Sequence, residues 1–408
     1  MKILHSTSIA LALALGAATA SVVIAPAAIA AKSKAPSIKM SDSVRNALIA
    51  AQTAQKSNDL ATAQTKINEA KAAIQTDDDR YMVGQQQYDL GKATNNPKLQ
   101  EEGVGNMLQS GKVPAENQGQ YYTAYGQLAF SNNDYANAEN ALQQAIQGNP
   151  ADTELYGYLA ETKFKLNKPA EAVGLIQQAA DKGDAAGKPI SKDWYERGMA
   201  IGMQAKLAAP AAKLSMSWLK NYSNHSNWRD ALEIYRQLHP ADPELDLDIM
   251  RLKRAAGALK GERDYAEYAE ATYLKFPGEA KGVVDEGVAA GAINVAQSRS
   301  LKELSGIASG KVAADKASLK KSAPNGRTAL GIADAYASYG DYASAIEMYD
   351  KAASLGGVDA STVNLRKGAA LAKSGQKDAA KQVLAQVTGP RADLAQFWTV
   401  FIDHPPAG

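Results

Sequence analysis

The sequence predicts an all-α protein, an α-solenoid of stacked antiparallel helix pairs. Three observations carry this reading. Alternating β-branched runs are missing, and Ala, Gln, Leu, Lys and Glu fill the segments, residues that favour helix. One short phrase keeps returning: Asn58-Asp59-Leu60-Ala61-Thr62-Ala63, Asn133-Asp134-Tyr135-Ala136-Asn137-Ala138, Asn167-Lys168-Pro169-Ala170-Glu171-Ala172, Gly340-Asp341-Tyr342-Ala343-Ser344-Ala345 and Gly375-Gln376-Lys377-Asp378-Ala379-Ala380. Its spacing is nearly constant, with 34 residues from Ala138 to Ala172 and 35 from Ala345 to Ala380. A fixed period of this size marks a repeat architecture, in which each unit buries its apolar face only by stacking on its neighbours.

The phrase has a physical meaning. Asn, Gly or Asp supplies a turn after one helix and caps the next. The following Tyr, Leu or Pro enters the second helix. The Ala three residues later lets two helices approach closely, because a larger side chain would hold them apart.

Taken in order, the chain begins with a targeting pattern. Lys2 and His5 precede apolar runs over residues 9–15 and 22–24, and Ala27-Ala28-Ile29-Ala30-Ala31 follows. Ala28 and Ala30 fit the small-x-small pattern of a signal-peptidase site, so residues 1–30 are expected to be a cleavable signal peptide. Ala18-Thr19-Ala20 offers a second cut. An uncleaved membrane anchor is the competing reading, although Gly16 and Pro26 interrupt the run. Cleavage leaves 44 basic against 43 acidic groups, a periplasmic or secreted protein with no membrane span. Residues 31–43 read as a flexible leader.

Residues 44–222 read as an N-terminal array of helix pairs. The clearest copy covers 119–150. Its first helix carries Tyr122, Tyr125, Gly126 and Ala129, Asn133-Asp134 makes the turn, and the second helix carries Tyr135, Ala138, Leu142 and Ala145. Weaker copies cover 44–75, 81–111, 153–183 and 191–222; in the last, the second helix lacks the small residue at the expected place. Residues 223–321 read as degenerate helical repeats, with a separate helical domain as the alternative. Residues 322–408 hold a clear pair of copies. The first uses Tyr336, Gly340, Tyr342, Ala345, Tyr349 and Ala352; the second uses Gly368, Leu371, Gly375, Ala380 and Leu384. A last helix places Leu394, Phe397, Trp398 and Phe401 on one stripe, as a capping helix does, with a partner-binding stripe as the alternative.

The copy at 119–150 resembles the tetratricopeptide repeat, a helix-turn-helix unit of about 34 residues. It departs from that pattern at Tyr125, where Leu is usual, and at Ala129, where an aromatic is usual. The resemblance implies a right-handed superhelix and, with the targeting segment, exported bacterial proteins that bind another protein or an extended peptide.

Chemistry is thinly represented. The 408 residues include 45 basic and 43 acidic groups, a net charge of +2, which gives no field for nucleic acid or an anionic membrane. Cysteine is absent, which excludes disulfides, thiolate metal sites, cysteine nucleophiles and a lipoprotein anchor. No phosphate loop, nucleophile elbow or His-Glu-x-x-His motif occurs. Asp77-Asp78-Asp79 suits a helix N-terminus. Asp242, Glu244, Asp246 and Asp248 alternate like a calcium loop, but Leu247 takes the glycine place and Lys253 that of the bidentate Glu. Gly202-Met203-Gln204 is similar to a fragment of lytic transglycosylases, whose catalytic Glu-Ser pair is missing, since Arg197 follows Glu196. We therefore expect no catalytic, cofactor or metal residue.

The function expected is a non-catalytic scaffold in the cell envelope, serving assembly, secretion or polysaccharide export; a cell-wall hydrolase on a helical superhelix is the alternative. First helices should line a groove. Gln127, Phe130, Glu161 and Phe164 are the nominated partner contacts, because the two phenylalanines stand 34 residues apart at equivalent places. Gln120, Thr123, Glu154, Lys165, Arg327, Leu330 and Asp334 are further groove candidates. Packing against the neighbouring repeat, or a solvated helix face, is the plain alternative for each.

Overall fold

The structure is a computed structural model that describes residues 38–407 except 241, 320 and 321. The expected signal peptide, and most of the leader, lie outside the described residues. The described residues form twenty α-helices, one short 3-10 turn and a single bridge pairing Asn224 with Ala407. The chain divides after Pro150 into two compact units.

The first unit holds α1 (Asp42–Lys56), α2 (Leu60–Ala72), α3 (Asp77–Ala93), α4 (Pro97–Gln109), α5 (Ala115–Ser131) and α6 (Tyr135–Gly148). They pack as the pairs α1/α2, α3/α4 and α5/α6. The recurring phrase builds the turn inside each pair. Asn58, Asn95 and Asn133 take φ of 59°, 50° and 63°, the left-handed region that Asn tolerates better than most residues. The next residue sends its N–H back to a carbonyl five residues earlier, as Asp134 does to Ala129 at 2.8 Å. Its side chain then caps the second helix, Asp59 accepting from the Thr62 N–H and Asp134 from the Asn137 N–H.

The second unit holds α7 (Thr153–Lys165), α8 (Pro169–Ala185), α9 (Lys192–Gln204), α10 (Ala208–Asn221), α11 (His225–Leu238), α12 (Pro243–Ala255), α13 (Gly261–Thr272), α14 (Pro277–Ala289), α15 (Arg299–Ser318), α16 (Gly326–Ser338), α17 (Tyr342–Leu355), α18 (Ala360–Lys373), α19 (Lys377–Leu384) and α20 (Ala392–Asp403). The same turn recurs at Asn167, Lys206, Gly340 and Gly375, all with positive φ. Lys206 places Ala211 four residues after the capping position, where Ala138, Ala172, Ala345 and Ala380 stand in the other copies; all five are fully buried. The copy at 191–222 has thus kept its small residue, where the sequence reading found none at the expected place.

Close approach is locked by a glycine–leucine pairing sixteen residues apart. A Cβ on Gly126 would lie 2.7 Å from Leu142 Cγ, one on Gly198 2.4 Å from Leu214 Cδ2, and one on Gly368 2.6 Å from Leu384 Cγ. Each leucine fills the space its glycine leaves empty.

In the second unit the C-terminal helix returns to the middle of the chain. Phe397 meets Trp228 and Tyr235 edge-on at 6.5 and 5.4 Å, and Phe401 meets Trp228 at 5.8 Å. The Ser223 hydroxyl donates to the His404 carbonyl at 2.8 Å. Leu394, Phe397 and Trp398 are buried in one cluster with Leu219, Trp228, Leu232 and Leu252. The apolar stripe of α20 is therefore covered from within the unit.

Candidate functional site

Of the four nominated contacts, Gln127 and Phe130 belong to the first unit and Glu161 and Phe164 to the second. All four are partly buried. Phe130 lies in the last turn of α5 and meets Tyr135 edge-on at 5.6 Å, across the turn to α6. Glu161 and Phe164, one helical turn apart on α7, share a partner that the sequence reading did not nominate. The Arg197 guanidinium of α9 forms a two-point ion pair with Glu161, its Nη2 donating at 2.9 Å, and lies 4.7 Å from the Phe164 ring centroid. Arg197 stands 36 residues after Glu161, about one repeat along, so a search for opposite charges at the repeat spacing would have found it.

The acidic clusters also find partners. Thr76 and Asp79 form a capping box at the start of α3. Asp79 also accepts from the N–H groups of Ser41 and Gln75, while Asp78 accepts from Lys39 N–H and pairs with Lys112. Asp242 caps α12, and Asp246 pairs with Arg236.

Asp248 enters a buried charge network in the second unit. Arg366 donates to Asp248 at 3.0 Å and to Asp334 at 2.9 Å, and all three side chains are almost wholly buried. Arg251 donates to Asp248 at 3.0 Å and, through its two other nitrogens, to both oxygens of Glu279 at 3.0 and 2.9 Å. Tyr268 donates to Glu279 at 2.6 Å and Tyr349 to Asp334 at 2.8 Å. Asp334, read from the sequence as a groove residue, is thus an internal one; the arginine 32 residues later draws it inside.

Glu279 and the two tyrosines of this network are held away from proton transfer near neutral pH. Burial pushes Glu279 up, but the charge and hydrogen bonds of Arg251, with the Tyr268 hydroxyl, outweigh it and hold the carboxyl at about 2. A general acid needs a proton to give near the working pH. Burial above all, then the adjacent carboxylates, holds Tyr268 and Tyr349 well above the usual phenol range. The cleft beside the network holds about 40 Å³. That is room for a few waters, far below the roughly 300–1,000 Å³ of a small-molecule site.

Capped turns, buried alanines and glycine–leucine locks at a fixed spacing are the features of one repeat type. Models described as tetratricopeptide repeat match residues 129–186 and 327–355. The protein carries tetratricopeptide repeats. The matched tetratricopeptide repeat at 327–355 spans most of α16 and α17, and it is this repeat that supplies Asp334 to the charge network. Its other two nominated groove positions differ, Arg327 being exposed and Leu330 partly buried.

Solved structures similar to the chain include a tetratricopeptide repeat protein from Parabacteroides merdae ATCC 43184, at 10% identity, covering 81% of this chain and 100% of that one, with a TM-score of 0.27. The P58(IPK) TPR domain is 14% identical and covers 88% and 97%, with a TM-score of 0.25. Naa15/Naa10 bound to HypK-THB is 13% identical and covers 87% and 64%, with a TM-score of 0.26. Likeness at those scores says nothing of partners. No curated protein matches the chain.

Proposed function

We propose that this protein is a non-catalytic scaffold of the bacterial cell envelope, whose tetratricopeptide repeats hold another protein or an extended peptide. The observation that carries the reading is the pair of repeat matches, at 129–186 and 327–355. Helical-repeat arrays offer extended surfaces to partners. The arginine-bound state of Asp248, Glu279 and Asp334 supports the non-catalytic half of the proposal.

The envelope setting rests on the N-terminal pattern, with cleavage after Ala30. Among the described residues no helix is long and apolar enough to cross a membrane. Gln127 and Phe130 on one unit, and Glu161 and Phe164 on the other, are the proposed contacts.

Site-specific photo-cross-linking in intact cells tests both halves. A photoreactive residue at Gln127 or Phe164 should give discrete cross-linked species with an envelope protein. N-terminal sequencing of the exported chain should begin near Ala31. Absence of any cross-link from either position, together with cell-wall-cleaving activity in the purified chain, would overturn the scaffold reading. A full-length chain in the cytoplasm would overturn the envelope setting.

A further inference from the structure

Only one of the chain's asparagines is followed by glycine, in Asn325-Gly326. The dipeptide opens α16, next to the repeat matched at 327–355. Both residues are fixed by what they do there. Asn325 is the N-cap: its side-chain oxygen accepts from the Thr328 N–H at 2.9 Å and from the Thr328 hydroxyl at 3.1 Å. Gly326 is buried, and a Cβ on it would collide with the Gly356 carbonyl oxygen and lie 2.8 Å from that of Ala352. Packing against the end of α17 therefore demands glycine at this place.

The pairing has a chemical consequence. An asparagine side-chain carbonyl carbon is within reach of the next residue's backbone nitrogen, and glycine leaves that nitrogen unshielded by a Cβ. The Gly326 N–H is one of the first-turn donors that no helical carbonyl reaches, and it has no hydrogen-bond partner among the described residues. Asn325 is exposed, and its amide nitrogen is likewise unbonded among the described residues. The cap holds the reaction back. With the backbone extended at φ −152° and ψ 166°, Oδ1 is turned onto Thr328. Fraying of the first helical turn releases it.

We propose that Asn325 is a site of spontaneous deamidation, gated by its own helix cap. The Gly326 nitrogen attacks Asn325 Cγ and forms a C–N bond. The Cγ–Nδ2 bond breaks, and Nδ2 leaves as ammonia with the proton that the Gly326 nitrogen gives up. Water then opens the five-membered succinimide at either of its carbonyls, giving aspartate or isoaspartate. Water is the one co-reactant.

The two products differ in this structure. Aspartate keeps the cap and adds a negative charge at a helix N-terminus, which the macrodipole favours. Isoaspartate inserts a methylene into the main chain before Gly326 and shortens the capping side chain. Gly326, close against Ala352 and Gly356, has no room to absorb that insertion, so α16 loses its first turn. The same helix carries Asp334, which Arg366 holds, so the damage bears on the buried charge network.

The test ages the full chain in warm, mildly alkaline buffer and follows the tryptic fragment 322–327 by mass spectrometry. Asn325 should convert several-fold faster than any other asparagine, to aspartate and isoaspartate together, which electron-transfer fragmentation tells apart. Thr328→Val, which removes one of the two cap bonds, should speed the conversion several-fold. Aged parent should develop a lower-melting fraction, read by tryptophan fluorescence, in proportion to its isoaspartate. Asn325→Ser keeps a capping oxygen without the amide and should hold its melting temperature on ageing, and Asn325→Asp should melt with or above the fresh parent. Conversion at Asn325 no faster than at the other exposed asparagines would overturn the site. An unchanged rate in Thr328→Val would overturn the gating, and isoaspartate without a lower-melting fraction would overturn the effect on α16.

Discussion

Arg366→Met is the sharpest perturbation of the second unit. Arg366 is 6% exposed on its side chain, and it bridges α12 to α16 through Asp248 and Asp334, themselves 3% and 2% exposed. Methionine keeps much of the volume and removes every donor. Asp248 retains Arg251 at 3.0 Å, but Asp334 is left with only the Tyr349 hydroxyl at 2.8 Å. Breaking a buried ion pair from one side costs about 3–5 kcal/mol, because the remaining charge stays inside without compensation. For a unit of this size that corresponds to a fall in Tm of about 6–20 °C. All four tryptophans, Trp194, Trp218, Trp228 and Trp398, lie in the second unit, so intrinsic fluorescence during urea or thermal unfolding reports on it alone. Adding Asp334→Asn removes the orphaned charge while keeping an acceptor for Tyr349, and the double variant should regain about 1–2 kcal/mol. A single variant within about 0.5 kcal/mol of the parent, the range of ordinary surface changes, would refute the burial argument.

Other outcomes follow from the same geometry. Glu279 is held at about 2 against an ordinary value of 4.5, so its stabilising contribution is complete above about pH 4.5 and is lost as pH falls toward 2; Glu279→Gln should flatten the acid limb of the stability curve followed by tryptophan fluorescence. Ala138→Leu and Ala345→Leu should each overfill a fully buried helix contact and destabilise by about 1–3 kcal/mol, the first seen by circular dichroism, since the first unit has no tryptophan, and the second also by fluorescence. Unchanged melts in both would show that the alanines are not interhelical contacts. Phe130→Ala combined with Phe164→Ala should abolish the partner cross-links while leaving Tm within a few degrees; early unfolding would assign both rings to packing.

What the sequence made legible was local. A left-handed Asn or Gly followed by a capping Asp is written in adjacent residues, and alanine four places on completes a contact within one helix pair. Lys206 shows where that signal ends, because nothing about lysine announces a positive φ, and the small residue of α10, Ala211, went unseen. Asn96-Pro97 shows a second case. Gln100 takes the alanine place there, and Gly91 opposite supplies the missing space, with the Cβ position 2.8 Å from Gln100 Cγ. The charge network was not legible at all. Asp248 and Arg366 stand 118 residues apart, and the local surroundings of Asp248 say only that it lies in a helix that starts at Pro243.

The distant contacts also change how the second unit should respond to damage. A repeat array held only by nearest neighbours loses stability piecemeal, since each interface contributes separately. Here the Ser223–His404 hydrogen bond closes a sequence separation of 181 residues, and α20 buries Phe397 and Trp398 against α11 rather than leaving an exposed end. Arg366 ties the same two regions a second time through Asp248. Contacts that join distant repeats make their folding interdependent, so α11, α12, α18 and α20 belong to one cooperative element.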